Sequence, residues 1–272
     1  MTTTALLVTK HHKLGLIAPA FEQIGWDVDA TVADTDVLGT FAGDVPRRFS
    51  PIETARRKAL LGASMRDAGW LLASEGSIDQ RVGGITRDVE LVVAVERSRG
   101  TTIVGSATRL GITAVRFEVD RKTSDEAIAR SCAGADLPRH HLLVAPNDGS
   151  SPPVAGLSDV EAVLDACHQL RRRRKTLIVQ TDLRSHLCPS RQPTITSAAE
   201  DLVSRLARPC PRCGRPGFGE EEPILGLPCL VCRQPTQERR ALRSRCPWCA
   251  FEELNLLSQE GADPLHCWRC NP

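Results

Sequence analysis

Eight of the eleven cysteines lie in the last quarter of the chain and fall into four Cys-x-x-Cys pairs. Cys210, Cys213, Cys229 and Cys232 make two pairs separated by fifteen residues, and Cys246, Cys249, Cys267 and Cys270 make two more separated by seventeen. A Cys-x-x-Cys turn presents two thiolates to one ion, and two such turns at this separation match a four-thiolate zinc ribbon. The spacing therefore predicts two zinc ions. Sequential pairing of the knuckles is the first expectation, and an interleaved arrangement, in which alternate knuckles share an ion, is the alternative. Four thiolates leave no open coordination position, so both ions are expected to be structural, holding together a segment too short to build its own core. Paired short knuckles suit ribbons better than the denser spacing of iron–sulfur clusters. His266, beside Cys267, is the one histidine with a local case as a substitute ligand.

Thiolate pairs of this kind point to metal binding in a reducing compartment, and the expected location is the cytoplasm. No apolar run is long enough for a bilayer, and "MTTTALLVTKHHK" lacks the pattern of a secretory signal. No membrane partner is expected. The formal charge of +2 over 272 residues does not by itself imply nucleic acid. The basic run Arg171 to Lys175 reads as a solvated helix end. The tail interleaves arginines with Trp248, Phe251 and Trp268, which suits contact with nucleic acid or protein, but Glu220, Glu221, Glu222, Glu252 and Glu253 offset that charge.

Ahead of the tail, alternating strand and helix patterns predict an α/β domain over 1–207, a mixed sheet flanked by helices, followed by the zinc-ribbon-like domain over 208–272. Strands are expected at Ala5 to Thr9, Asp27 to Val32, Trp70 to Ser74, Val89 to Val95, Thr101 to Gly105, Leu142 to Ala145 and Thr176 to Gln180. Helices are expected at His12 to Ile24, Pro51 to Ala68, Ser124 to Ala133, Asp159 to Leu170 and Ile195 to Ala207. "SPIE" supplies a capping box with Ser50 as N-cap and Glu53 as its reciprocal partner. "APNDGSSPPVAGLS" reads as a flexible surface connection. Cys132 and Cys167, within helical patterns, read as small buried hydrophobes.

Three stretches carry chemistry. "TKHHK" sits between a strand and a helix, where the first helical amides favour an anion and Lys10 and Lys13 would add charge. "DTDVLGTFAGDVPRRFS" is long for a connection and reads as a site wall. "TDLRSHLCPSRQPTI" gathers Asp182, Arg184, His186 and Arg191 where the last strand ends, and strand ends are where α/β folds place ligand groups.

Taken in order, "TKHHK", "SPIETARRKALLGASM", "WLLASEGSID" and "VELVVAV" resemble the inosine/xanthosine triphosphatase-like nucleoside-triphosphate pyrophosphatases over roughly the first hundred residues. Thr9 and Lys13 match the first motif, Glu53 with Arg57 and Lys58 the second, Glu75 and Gly76 the third. The resemblance implies hydrolysis of a nucleoside triphosphate to monophosphate and pyrophosphate with Mg²⁺ or Mn²⁺. Glu53 and Glu75 would hold that cation, and Glu75 or Asp88 would take a proton from the attacking water. Thr9, Lys10, Lys13 and Lys58 would bind phosphate, with Asp182 and Arg184 closing the site. His11 stands where that family has Asn, and its downstream Ser-His-Arg segment has no counterpart. The whole chain also resembles an uncharacterised bacterial family with an Asp-x-Arg strand-end motif and a cysteine-rich tail, in which Asn stands at the position of Cys188. The expected function is a metal-dependent hydrolase of a nucleotide or related phosphorylated compound; the alternative is a non-catalytic nucleotide-, nucleic-acid- or protein-binding zinc-ribbon protein.

Overall fold

Ala5, Leu6, Leu7 and Val8 are buried because the strand they form is covered on both faces. In this computed structural model, which describes residues 2–39, 45–46, 48–80, 85–171, 176–257 and 260–272, that strand is β1, Thr3–Val8. The chain then makes α1, Leu14–Glu22, and β2, Trp26–Thr31, which pairs parallel to β1. Next come α2, Pro51–Leu61, and β3, Trp70–Gln80, parallel to β1 on its other side. β3 continues into an antiparallel meander with β4, Thr86–Glu96, and β5, Thr102–Leu110, giving the order β2-β1-β3-β4-β5. Ala55 and Ala59 of α2 lie on Leu6, Leu71, Ala73, Leu91 and Val93.

A second sheet follows, where the sequence patterns indicated a single one. It comprises β6, Arg116–Asp120, β7, Leu142–Pro146, β8, Val154–Leu157, and β9, Thr176–Thr181, in the order β6-β9-β7-β8 with every neighbour antiparallel. Two helices, α3, Asp125–Cys132, and α4, Val160–Arg171, build its core from Ile128, Val163, Leu142, Val144, Leu177 and Val179, with Cys132 and Cys167 buried among them. β8 lies within the stretch expected to be a flexible connection. α5, Gln192–Leu206, returns to the first sheet, where Gly105 lets it come close: a Cβ there would strike Ala198 O and Leu202 N of the helix backbone. Ser106 N–H also donates to the Asp201 carboxylate at 2.8 Å.

Several helix boundaries differ from the expected ones, α5 starting at Gln192 rather than Ile195, and two of the differences have clear local reasons. α1 starts at Leu14 rather than His12, because His12 adopts a left-handed backbone (φ 52°) that no helix accommodates. α2 starts as expected, with Ser50 Oγ accepting from Glu53 N–H at 3.3 Å, but ends at Leu61. Gly62 then packs so close to Val8 that a Cβ would lie 2.6 Å from its side chain. The remaining strands, β10 Glu220–Leu225, β11 Arg239–Arg245 and β12 Glu252–Leu256, form a separate antiparallel meander. The chain divides into two compact units, Met1–Leu202 and Val203–Pro272. Among the described residues no helix is long and apolar enough to cross a membrane. Arg172 to Lys175 of the basic run lie outside the described residues.

Candidate functional site

The tail meander decides which thiolates meet. Glu220 pairs with Arg245, so the knuckle before β10 (Cys210, Cys213) and the knuckle after β11 (Cys246, Cys249) share one end of the sheet. Leu225 pairs with Arg239, and Ala241 with Leu256, so the knuckles at Cys229/Cys232 and Cys267/Cys270 share the other end. The tetrads are Cys210–Cys213–Cys246–Cys249 and Cys229–Cys232–Cys267–Cys270. This corrects the sequential pairing in favour of the interleaved one. β10 separates the first knuckle from the second by roughly 20 Å at ~3.4 Å per residue, a gap that counting intervening residues does not reveal.

The donor geometry fits zinc. Cys210 and Cys249 sulfurs are 3.8 Å apart, Cys213 and Cys246 3.7 Å, Cys229 and Cys270 3.9 Å, and Cys232 and Cys267 3.5 Å. A tetrahedral ion with Zn–S of about 2.3 Å separates its ligands by about 3.8 Å. Each knuckle closes with an N–H to the carbonyl of its first cysteine, from Gly214, Arg233, Ala250 and Asn271. Gly214, Arg233 and Ala250 take left-handed backbones to do so. The Cys270 amide, joined by that of Arg269, pulls the Cys267 thiol down to about 7, while the hydrogen bond to Cys232 and burial push the Cys270 thiol of the same tetrad up to about 12. His266 is not a ligand; its Nδ1 lies 2.5 Å from Glu238 Oε1. Arg243 and Arg245 pair with Glu222 and Glu252 across the strands.

In the first unit, a cleft of about 270 Å³ opens where the chain leaves β1. One wall comes from the first sheet and its loops: Lys10, His11, Lys13, Asp36, Lys58, Ser74 and Glu75. The other comes from the second sheet and the loop after β9: Leu143, Pro153, Ala155 and Thr181 to Arg184. Of the long loop expected to form a wall, Asp36 and Gly39 do so; Thr40 to Asp44 and Arg47 lie outside the described residues.

Lys10, Lys58 and Arg184, three of the cations in the cleft, carry carboxylate partners. Lys10 Nζ meets Asp36 at 2.5 Å and Asp34 at 2.9 Å. Lys58 Nζ meets Glu75 Oε2 at 2.5 Å, and Arg184 grips Asp182 with Nε at 2.9 Å and Nη2 at 2.5 Å. Lys13, at the N-cap position of α1, instead donates to the Ser74 hydroxyl at 2.8 Å. Burial drives its ammonium down to about 8; Arg191 and Lys58 push the same way, while Glu90 and Glu75 oppose them. Burial also lowers the His11 imidazole to about 4, against the pull of Asp36 and with Lys13, His186 and Arg184 acting the same way as burial. His11 is thus neutral at pH 7, stacked on His186 with ring centroids 5.5 Å apart. Ser185 Oγ donates to His11 O at 3.2 Å, tying the two site loops together.

Six residues singled out in the sequence therefore meet in the lining: Lys10, Lys13, Lys58, Glu75, Asp182 and Arg184. Three do not line it. Thr9 accepts from the His11 N–H at 3.3 Å. Glu53 pairs with Arg57 at 2.6 Å and Arg56 at 3.8 Å. Asp88 is fully enclosed on β4, where burial and then the Glu90 carboxylate raise its carboxyl to about 6. Of the two carboxylates expected to hold magnesium, only Glu75 lines the cleft. Sequence reasoning missed Ser74 and the apolar second wall, which carry no motif.

A profile for a domain of unknown function, DUF6671, matches residues 58–272. The chain belongs to the DUF6671 family. That span contains Lys58, Glu75, Asp182, Arg184 and both tetrads; Lys10 and Lys13 precede it. No curated protein matches this DUF6671 chain. Among solved structures, a dodecamer of a PelC point variant from Paraburkholderia phytofirmans matches at 13% identity, over 40% of this chain and 73% of that one, with a TM-score of 0.22. A superposition that loose carries no argument.

Proposed function

We propose that the α/β unit of this DUF6671 protein binds a nucleotide or related phosphorylated small molecule in the cleft and hydrolyses its phosphoanhydride bond, while the tail holds two structural zinc ions. The observation that carries this reading is the meeting of Lys10, Lys13, Lys58 and Arg184 around Glu75 in one cleft, from four separate segments of the chain. Lys13 matters most. Among the described residues it has no carboxylate partner at hydrogen-bond distance, and it stands at a helix N-terminus, where an anion relieves the cost of its buried charge. The order of motifs shared with the inosine/xanthosine triphosphatase-like enzymes supports the same ligand class.

Hydrolysis requires water to attack phosphorus, the bond to the leaving phosphate to break, and one water proton to leave. Glu75, which accepts a hydrogen bond from Lys58 at 2.5 Å, would accept that proton. Lys13, Lys10 and Arg184 would balance the charge that builds on the phosphate oxygens. A divalent cation would find Glu75 as its protein carboxylate and take its other ligands from the substrate's phosphates and water, the usual manner for Mg²⁺. A second reading, binding without turnover, is favoured by the carboxylate partners of Lys10, Lys58 and Arg184, which include Glu75 itself.

The test is release of pyrophosphate and phosphate from a panel of standard and deaminated nucleoside triphosphates, with Mg²⁺ or Mn²⁺, by the zinc-loaded protein and its Glu75→Gln variant. Release abolished by the substitution supports the hydrolase. No release by a folded, ligand-binding protein favours the second reading.

A further inference from the structure

Arg191 is the largest fully enclosed side chain among the described residues, 1% exposed. It ends the short turn Pro189–Arg191 that leads into α5. Its Nη1 donates to the carbonyl of Leu183, the residue between Asp182 and Arg184, and its Nη2 donates to Glu90 Oε1 on β4. Its Nε lies 3.7 Å from Asp88 Oδ1. Across the β3–β4 register from Glu90 stands Gly76, the residue after Glu75. A Cβ at 76 would collide with the guanidinium and with both Glu90 oxygens, so the absence of a side chain there makes room for this pair.

We infer that Arg191 is the positioning residue of the cleft: one enclosed guanidinium fixes the Asp182–Arg184 loop against β4, the strand paired with the one that carries Glu75. The inference rests on the phosphate-binding reading of the cleft. A bolt that merely joined the loop to the sheet would not bear on Lys13. Here the groups acting on Lys13 are Glu90 and Glu75, which favour its ammonium, and Arg191 and Lys58, which oppose it; Lys13 in turn acts on His11. Arg191 and its partner Glu90 are two of those four. Removing the guanidinium deletes one of the two charges that oppose the Lys13 ammonium, which drives Lys13 toward holding its proton to higher pH.

The experiment follows Lys13 by NMR titration of carbon-13-labelled lysines in the zinc-loaded full chain, its resonance assigned by its loss in Lys13→Met. It compares wild type, Arg191→Gln and Arg191→Lys, with calorimetric titration of inorganic pyrophosphate into each. In Arg191→Gln the Lys13 midpoint is expected to rise, with pyrophosphate affinity at least tenfold weaker because the Asp182–Arg184 loop is no longer pinned. Arg191→Lys keeps the charge but cannot span Glu90 and Leu183 O together. It is expected to leave the midpoint near the wild-type value and to recover only part of the affinity. Unchanged pyrophosphate affinity in folded Arg191→Gln overturns the inference, whatever the Lys13 midpoint does. Should that variant fail to fold, Gly76→Ala displaces the guanidinium instead, and unchanged pyrophosphate affinity in it is equally fatal. Wild-type protein that binds no pyrophosphate refutes the phosphate-binding reading instead, whatever the Lys13 midpoint does.

Discussion

Replacing Lys13 by methionine is expected to stabilise the ligand-free α/β unit at neutral pH, although it removes the residue most exposed to function. Burial holds the folded-state pKa of Lys13 at about 8, against 10.5 for the ordinary amine. Below pH 8 both folded and unfolded chains carry the proton, and the buried charge costs the fold roughly 3 kcal/mol. As pH rises from 8 to 10.5 the folded state gives up the proton first, and the cost disappears. Methionine has a similar length and no charge, but it forfeits the 2.8 Å bond to Ser74, worth about 1 kcal/mol. The expected net gain is therefore about 2 kcal/mol at pH 7, shrinking and changing sign as pH approaches 10.5. Urea unfolding of both proteins at pH 7, 8, 9 and 10, following the first unit by Trp26 and Trp70 fluorescence, measures that difference. A variant less stable than wild type at pH 7, or a gap that does not change with pH, would refute the reasoning.

Other outcomes follow from the same geometry. The double variant Cys210→Ser/Cys246→Ser is expected to retain one zinc per chain, because both cysteines serve the same tetrad; under sequential pairing it would lose both, and metal analysis distinguishes the two. Gly105→Ala forces a methyl into the backbone of α5 and is expected to cost about 3 kcal/mol in a urea melt. Asp88→Asn is expected to stabilise the protein at pH 7.5 by up to roughly 3 kcal/mol. The Asp88 carboxyl is raised to about 6 in the fold, so the penalty it removes is full above pH 6 and fades toward 3.8. Melts at pH 7.5 and 5 should show that advantage shrinking.

What could be read from the sequence was local. The Ser50 cap, the buried run before Lys10 and the four knuckles each depend on residues a few positions apart, and all stand where the patterns put them. Zinc pairing was not legible because it depends on strand order: β10 carries one knuckle away from the next, and only its pairing with β11 shows which ends coincide. β8 was missed because Gly and Pro crowd its approach and none of its residues is fully buried, leaving no alternating pattern to read. β6 buries a single residue fully, Val119. In the cleft, Lys10, Lys13, Lys58 and Glu75 were legible as motif residues. Glu53 belonged to the helix cap and its neighbouring arginines instead. The Arg191–Glu90 pair joins residues 101 positions apart, and no local spacing announces such a contact.

The most direct test of the phosphate cleft is calorimetric titration of inorganic pyrophosphate into the zinc-loaded protein, its Lys13→Met variant and a Lys122→Met control, whose lysine lies exposed on a loop of the second sheet. One site per chain is expected, with affinity falling roughly tenfold to a hundredfold in Lys13→Met and unchanged in Lys122→Met. Equal affinity in all three proteins, or no binding by the wild type, would contradict the account.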